Sequence, residues 1–335
     1  MHKKALELLD GLSDKDKSTV ENFFKNVYKQ EKEHYWSITK LFYHAIYIPM
    51  FLQIGKKQMD KKRFSDLIYI DTHSGPGIAK IGADEKDVIL GSPLLALYWP
   101  PIVAERVKQF NKIKEGFTKL YFIDRNHGNT GILRRFTSNA DNVEVITGDA
   151  NSYLPRIEVP DGALVYMFVD PFGSFDSQLG YNALSSFVSE RRVDIMMNIL
   201  APNIAQGLSS IKKEEQLLEK IKWLFGENFC ESKFCERFGI TRPICRLGSK
   251  TVADILRAYW CVFVRLGYRK IAIMPVMYKG LVLYYMVLAV KIPGKWVDGY
   301  NKYIHFNAPK DYRDLRALWL ETTGRQTNLL SFMKD

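Results

Sequence analysis

The sequence predicts an α/β fold in which a mostly parallel sheet carries helices on both faces. Two observations lead to this prediction: short apolar runs repeatedly end in a polar residue, and helix-length segments separate these runs along the chain. Parallel strands need crossover connections, and strands buried on both faces are apolar throughout. Because open α/β sheets bind ligands at the carboxyl ends of their strands, the polar residues that end the runs form the candidate site.

Composition narrows the class of protein. The chain has 335 residues, of which 47% are hydrophobic and 25% charged, and this balance excludes a disordered chain, a collagen-like fibre and a small disulfide scaffold. The formal net charge of +11 favours polyanionic partners, RNA or DNA, with a generally basic protein as the alternative. The N-terminus has no signal-peptide pattern, and the longest uncharged apolar stretch, 281–290, is half of a membrane-spanning helix. We therefore expect a cytoplasmic protein with no membrane partner.

The first 63 residues predict a helical extension that precedes the sheet. Apolar residues recur at helical spacing from about residue 3 to 54, and Ser13 followed by Asp16 is a candidate cap for the second helix. The basic run at 56–63 is interpreted as a solvated loop, with an edge that meets phosphates as the alternative.

The first predicted strand covers 67–71, ends in Asp71 and runs into a glycine-rich turn at 72–77. After a polar loop, Ser92 is predicted to cap a helix whose first residue is Pro93. This helix is predicted to end near Leu97 or Tyr98, before Trp99 and two prolines.

The rest of the chain repeats the alternation and then changes character. Further strands are predicted at 120–123, 143–146, 163–169 and 193–197, with helices at 130–139 and 178–189, and the polar residues that end these strands are Asp124, Asp149, Asp170 and Asn198. Residues 203–265 are helical and charged, which predicts an insertion or lid. A final hairpin and a tail follow, so the predicted divisions are 1–63 (extension), 64–200 (cofactor-binding core), 201–268 (insertion) and 269–335 (last strands and tail).

The four cysteines lie within 32 residues, in the spacing C-x4-C-x9-C-x15-C. This spacing lacks the C-x2-C pairs of common structural zinc sites, although a zinc or cluster site remains an alternative. We expect free, partly buried thiols in a reducing compartment. The six histidines form no H-x-x-H or H-E-x-x-H pair, so no metal site is predicted.

The glycine turn does not match a dinucleotide site. A third glycine is missing, and Asp124 follows Asp71 by 53 residues rather than the ~20 of the dinucleotide fingerprint. S-adenosyl-L-methionine, which has no phosphate, fits the pattern better. An acid near the turn suits its ammonium and the turn N–H groups suit its carboxylate. Asp124 is placed for the ribose hydroxyls and Asp149 for the adenine amine.

Helix capping is the alternative for any one of these acids, but four successive strand-end acids favour a shared site. The fourth, Asp170, opens the segment Asp170-Pro171-Phe172-Gly173. Enzymes that methylate exocyclic base amines carry an (Asp/Asn)-Pro-Pro-aromatic segment here, whose oxygens accept from the amine while the ring stacks on the flipped base. A turn made by Pro and Gly after a buried strand is the alternative.

An ordered set of segments resembles the three-Cys-motif partner protein family, TcmP. The set comprises Trp36, Lys40, Tyr69-Ile70-Asp71-(x)2-Ser74-Gly75-Pro76-Gly77, Gly91-Ser92-Pro93-Leu94, Phe122-Ile123-Asp124, Gly148-Asp149-Ala150-Asn151 and Asp170-Pro171-Phe172-Gly173. The resemblance implies a Rossmann-like class I methyltransferase fold with a seven-stranded sheet, S-adenosyl-L-methionine as cofactor and an unsettled substrate. It also implies, as a partner, a radical-S-adenosylmethionine-like protein that bears the three-Cys motif.

A narrower similarity links residues 71–77, Asp-Thr-His-Ser-Gly-Pro-Gly, to the Asp-Thr-His-Ala-Gly-Ala-Gly segment of the bacterial enzyme that methylates adenine N6 in large-subunit ribosomal RNA. The chain departs from that enzyme at Phe172 and Gly173, where the enzyme has Pro and Tyr. Cofactor binding therefore transfers more safely than amine methylation. His73 is expected either to contact the cofactor carboxylate or only to brace the turn.

The sequence thus predicts an S-adenosylmethionine-dependent methyltransferase whose acceptor is a nucleic acid, with RNA favoured over DNA. The alternatives are an inactive adaptor subunit with the same fold, an NAD-dependent oxidoreductase, and a methyltransferase that acts on protein. The predicted cofactor-binding residues are Asp71, His73, Ser74, Gly75, Gly77, Asp124, Asp149 and Ala150. The predicted catalytic residues are Asp170, Pro171, Phe172 and Gly173, and the accessory ones are Trp36, Lys40 and Ser92.

Overall fold

The computed structural model describes residues 2–27, 35–80, 87–171, 177–237, 244–278 and 281–307. The strands in these ranges are β1 (Leu67–Asp71), β2 (Ile78–Lys80), β3 (Val88–Leu90), β4 (Lys119–Asp124), β5 (Val143–Thr147), β6 (Leu164–Val169), β7 (Arg192–Ile199), β8 (Lys270–Tyr278) and β9 (Leu281–Val290). Seven of them form the central sheet, in the order β5-β4-β1-β6-β7-β9-β8. The first five strands of this order are mutually parallel, and β9 runs antiparallel to both β7 and β8.

Twelve α-helices are described around this sheet. They are α1 (His2–Asp10), α2 (Asp14–Val27), α3 (Tyr35–Met59), α4 (Ser92–Arg106), α5 (His127–Phe136), α6 (Ala150–Tyr153), α7 (Tyr181–Val188), α8 (Ala201–Ser210), α9 (Glu214–Phe225), α10 (Lys233–Glu236), α11 (Val252–Arg265) and α12 (Lys295–Asn307). The predicted α/β Rossmann-like fold, with a mostly parallel seven-stranded sheet and helices on both faces, is confirmed. The small antiparallel β2–β3 pair beside the sheet was not predicted.

Successive side chains along each strand point to opposite faces of the sheet, so the interior is divided into two cores. On β6, Tyr166 and Phe168 face one core, while Val165 and Met167 face the other. The first core also contains the buried residues of α3, α4, α5 and α12. The second contains those of α7, α8, α9 and α11, so the helices of the predicted insertion bury their apolar residues in the same core as β6 and β7. Removing this apolar area from water stabilises both layers.

The predicted start and end of α4 were wrong. Gly91 occupies the cap position, because its N–H donates to the Gly77 carbonyl at 2.7 Å and its own carbonyl accepts from Leu95, so Ser92 is already helical. The helix continues through two prolines to Arg106. Burial of Trp99, whose Nε1 donates to the Ala45 carbonyl at 2.8 Å, helps to offset the cost of proline inside a helix.

Three smaller boundaries also differ from the prediction. The first half of the predicted basic loop is the last turn of α3, which includes Lys56 and Lys57. Asn198 lies inside β7 rather than after it, because this strand pairs with β9 as far as Ile199. The predicted helix at 130–139 begins three residues earlier, at His127, where the Asn126 side chain caps it.

The expectation of free thiols was wrong. Cys230 pairs with Cys245, and Cys235 pairs with Cys261, in two disulfides that connect the segment before α11 to α11 and to itself. Within the described ranges no group of His, Cys, Asp or Glu side chains could hold a metal ion. None of the helices in these ranges is long and apolar enough to cross a membrane.

Candidate functional site

A cavity of about 350 Å³ opens at the carboxyl ends of β1, β4 and β5. It brings together four residues that the sequence predicted for cofactor binding: His73, Asp124, Asp149 and Ala150. Residues that were not predicted complete the wall: Thr19, Asn22, Thr72, Arg125, Asn126, Asn129, Gly148, Asn151 and Ser177. Most of the lining residues have polar side chains, among them two carboxylates and several amides, which suits a ligand rich in hydroxyl and amino groups.

Asp124 ends β4 and is held by the chain on both carboxylate oxygens. Its Oδ2 accepts from the Gly75 N–H at 2.8 Å, and its Oδ1 accepts from the Asn126 N–H at 2.8 Å and from Asn129 Nδ2 at 3.1 Å. Asp124 is 8% exposed, and a carboxylate offers about four lone-pair positions. The carboxylate is therefore fixed in orientation, with acceptor capacity left on Oδ2 for a hydroxyl in the cavity.

The glycine turn holds this arrangement from the β1 side. Gly75 and Gly77 adopt positive φ angles of 59° and 83°, which residues with a Cβ rarely adopt. The Ser74 hydroxyl donates to the Ile123 carbonyl at 3.0 Å and ties the turn to β4. The chain then enters strand β2 at Ile78, so no helix N-terminus follows the turn. A pyrophosphate site of the dinucleotide type is therefore missing from the residues that the structure describes here.

His73 lies at the cavity wall, and both of its ring nitrogens contact other parts of the chain. Nε2 lies 3.1 Å from the Ser177 carbonyl and must donate to it, so Nδ1 accepts from the Thr72 hydroxyl at 2.8 Å. Burial lowers the pKa of the His73 imidazole, which favours this neutral form. This geometry supports the bracing role rather than direct binding of a carboxylate.

Asp149 and Ala150 form the opposite side of the cavity, at the end of β5. Asp149 is exposed, and its Oδ1 accepts from the Asn151 N–H at 2.6 Å at the start of α6. The Asn151 side chain bonds the Gln178 carbonyl at 3.2 Å and the Gly180 N–H at 2.7 Å. These bonds hold the β5–α6 turn against the segment before α7, which fixes the position of Asp149.

Asp71, in contrast, does not line the cavity. Its carboxylate is completely buried, with Oδ1 accepting from the His73 N–H at 3.2 Å and Oδ2 from the Tyr69 hydroxyl at 3.1 Å, and Ser92 also bonds it. Burial is the main cause that raises the pKa of Asp71 to about 7. The residue fastens the turn, α4 and β1 together.

A buried histidine extends this network behind β1. His44 Nε2 donates to the Ser92 carbonyl at 3.1 Å and lies 3.2 Å from the Tyr69 hydroxyl oxygen, while Nδ1 accepts from the Tyr166 hydroxyl at 2.7 Å. Burial lowers the pKa of His44 to about 3, so the ring is neutral and this tautomer accounts for all of its bonds.

A third cluster lies at the ends of β6 and β7, where the sequence predicted the acceptor side. Lys40 from α3 forms an ion pair with Asp170 Oδ2, and Asn198 Nδ2 donates to Asp170 Oδ1 at 2.9 Å. Asp170 and Asn198 are about 95% buried, and Asn198 Oδ1 has no hydrogen-bond partner among the described residues. Lys40, predicted only as an accessory residue, is thus in direct contact with the first residue of the predicted catalytic segment.

The other predicted residues divide into three groups. Ser74, Gly75 and Gly77 lie next to the cavity without lining it, and Ser92 bonds Asp71 behind it. Pro171 is buried beside Asp170, whereas Phe172 and Gly173 lie outside the described residues. Trp36 belongs to α3, and its side chain is also outside the described part. Sequence reasoning missed Thr19, Asn22 and Asn129, because no motif marks them and only the tertiary arrangement brings them to the cavity.

Comparison with known proteins finds solved structures that resemble this chain, but no match at the level of sequence. No protein-family model matches the sequence, and no curated protein matches it significantly. A protein from Legionella pneumophila is 10% identical with a TM-score of 0.48, over 82% of this chain and 92% of its own. A ribosomal RNA methylase from Streptococcus thermophilus is 11% identical with a TM-score of 0.31, over 73% of this chain and 94% of its own. The plantazolicin methyltransferase BamL, solved with S-adenosylhomocysteine, is 10% identical with a TM-score of 0.39, over 98% of this chain and 91% of its own.

Proposed function

We propose that the protein is an S-adenosylmethionine-dependent methyltransferase whose cofactor occupies the cavity at the ends of β1, β4 and β5. One observation carries the proposal: Asp124 and Asp149, from neighbouring strands, line the same cavity. A carboxylate that accepts from ribose hydroxyls and another that accepts from the adenine amine would bind the two polar parts of the nucleoside.

The remaining predicted residues would lie near different parts of the bound cofactor. The turn formed by Ser74, Gly75 and Gly77 would lie beside the methionine end, with Asp71 and His73 bracing it from behind. The Ala150 N–H, in the first turn of α6, would donate to the adenine ring. When bound, the cofactor supplies an electrophilic methyl group on a sulfonium. The protein's contribution would be to hold the two reactants in line and to exclude water.

The acceptor would enter from the side of Asp170. In the proposal its carboxylate, oriented by Lys40 and Asn198, accepts hydrogen bonds from an acceptor amine and keeps the nitrogen lone pair directed at the methyl group. Pro171, Phe172 and Gly173 would line the same side. The net charge of +11 favours a nucleic acid as acceptor, and RNA is the class that we propose.

Two alternatives lead to different experiments. An NAD-dependent oxidoreductase is disfavoured because β2, rather than a helix, follows the glycine turn. An inactive adaptor with the same fold, bound to a three-Cys-motif radical-S-adenosylmethionine-like protein, would bind the cofactor without turnover or not bind it. DNA or a protein acceptor would leave the cofactor site unchanged and alter only the labelled product.

Transfer of a labelled methyl group tests the proposal. The protein is incubated with methyl-labelled S-adenosylmethionine and, separately, with cellular RNA, DNA and protein fractions. We expect label in RNA, transfer that weakens as salt concentration rises, and loss of transfer in Asp170→Asn. Cofactor binding without transfer to any fraction would contradict the enzyme and favour the adaptor. Label only in DNA or protein would contradict the RNA acceptor.

A further inference from the structure

Helix α2 of the N-terminal extension lies against the cavity, although nothing in its sequence marks it as a binding element. Thr19 and Asn22 are one helical turn apart and line the same cavity as Asp124 and Asp149. Asn22 is exposed and Thr19 is half-buried. Both side chains therefore border space that a ligand can fill.

The rest of α2 explains how these two residues are positioned. Asp16, Val20 and Phe24 recur every four residues, are buried, and so form one stripe along the helix. Asp16 forms an ion pair with Arg135 at the end of α5, and the Ser13 hydroxyl donates to the same carboxylate. This buried stripe holds the helix against the protein, and Thr19 and Asn22 lie outside the stripe.

The contact with α5 shows which part of the cavity α2 reaches. A Cβ on Gly128 would lie 3.1 Å from Thr19 Cγ2, so α2 sits directly on the first turn of α5. That turn begins at Asn126, whose N–H donates to Asp124 Oδ1. Thr19 and Asn22 consequently stand beside the β4–α5 loop, which carries the carboxylate proposed for the ribose.

We propose that α2 completes the cofactor site, with Asn22 hydrogen-bonding and Thr19 packing against the nucleoside half of S-adenosylmethionine. The inference rests on the proposed function, because it takes that cofactor as the ligand. An amide both donates and accepts, which matches a ribose hydroxyl or the adenine edge. The N-terminal extension is then part of the binding site rather than an appendage to the core.

Calorimetric titration with S-adenosylhomocysteine tests the inference. Asn22→Ala should weaken binding about fivefold to tenfold, the effect of one hydrogen bond. The matched control is Glu21→Ala, since Glu21 is an exposed neighbour on α2 that does not line the cavity. Equal affinity of Asn22→Ala and wild type would overturn the inference and leave the proposed function intact. Absence of binding by wild type would instead count against the function itself.

A truncated ligand identifies the half of the cofactor that α2 contacts. 5′-Methylthioadenosine keeps the nucleoside and lacks the amino-acid end, so Asn22→Ala should weaken its binding by the same factor. A loss seen with S-adenosylhomocysteine and not with 5′-methylthioadenosine would place α2 at the methionine end and overturn the assignment. Thermal melting of both variants verifies that each is folded.

Discussion

The ion pair between Lys40 and Asp170 is a contact between two poorly exposed side chains, 14% and 6% accessible. Removing one member of such a pair leaves an uncompensated charge away from water, which typically costs 3–5 kcal/mol. Lys40→Met keeps the aliphatic stem and removes the charge. We therefore expect the free energy of unfolding to fall by about 3–5 kcal/mol in urea unfolding at pH 8.

The double variant Lys40→Met/Asp170→Asn is the control, because it removes both charges and keeps an acceptor for Asn198. It should recover most of the lost stability. A double variant as unstable as Lys40→Met alone would show that the charge of Asp170 is not what Lys40 compensates.

Asp194 offers a pH test away from the cavity. Its carboxyl is 5% exposed and accepts from the Tyr47 hydroxyl at 2.9 Å, and burial is the main cause that raises its pKa to about 7. Since the folded state holds this proton more tightly than the unfolded state, whose pKa is near 3.8, the stability contributed by Asp194 is lost as pH rises toward 7. Asp194→Asn cannot titrate and keeps an acceptor for Tyr47.

The free energy of unfolding of wild type minus that of Asp194→Asn should therefore fall between pH 5 and 7 by up to about 1.4 kcal/mol per pH unit. Above pH 8 the difference should become constant. Taking this difference cancels the opposite contribution of His44, whose lowered pKa favours the folded state as pH rises. A difference that stays constant from pH 5 to 8 would contradict a buried, proton-binding Asp194.

Among the elements, the glycine turn and the start of α4 approach each other closely at Gly91. A Cβ at this position would lie 2.9 Å from the Gly77 carbonyl oxygen, which is backbone and cannot rotate away. Gly91→Ala should lower the free energy of unfolding by about 1–3 kcal/mol and weaken cofactor binding, because the turn must shift.

Gly131→Ala is the matched control for this prediction. Gly131 lies inside α5, and a Cβ there would meet nothing within 4 Å. Alanine should therefore stabilise the protein by up to about 1 kcal/mol through helix propensity alone. If Gly91→Ala and Gly131→Ala shift the urea midpoint in the same direction, the close approach of the turn to α4 is not the constraint that we describe.

The two disulfides define a second element-scale prediction. Cys235 and Cys261 are fully buried, whereas Cys230 and Cys245 are half-buried. Under mild reduction, Cys230 and Cys245 should be alkylated first, as followed by mass spectrometry. Because their disulfide closes 15 residues, Cys230→Ser/Cys245→Ser should lower the free energy of unfolding by about 3 kcal/mol. Alkylation of Cys235 before Cys230 would contradict the burial described here.

At the scale of the whole molecule, the sequence predicted the parallel part of the sheet well because its strands are short apolar runs with a polar residue at or near their ends. It predicted that strand-end acids would gather, and Asp124 and Asp149 do share a cavity. It misplaced Asp71, because a strand-end position does not tell whether the side chain faces the cavity or the core. The helix α2 was predicted, but its position at the cavity and the two disulfides were missed for the same reason: spacing along the chain does not reveal which distant segments lie close together in the fold.

The central claim, a nucleoside site built on Asp124, is tested most directly by calorimetric titration of S-adenosylmethionine, S-adenosylhomocysteine and NAD. Asp124→Ala is compared with wild type and with Asp141→Ala, an exposed acid that does not line the cavity. We predict micromolar binding of the first two ligands, no binding of NAD, at least about tenfold weaker binding in Asp124→Ala, and no change in Asp141→Ala. Tighter binding of NAD than of S-adenosylmethionine, or equal affinities in Asp124→Ala and wild type, would contradict the account.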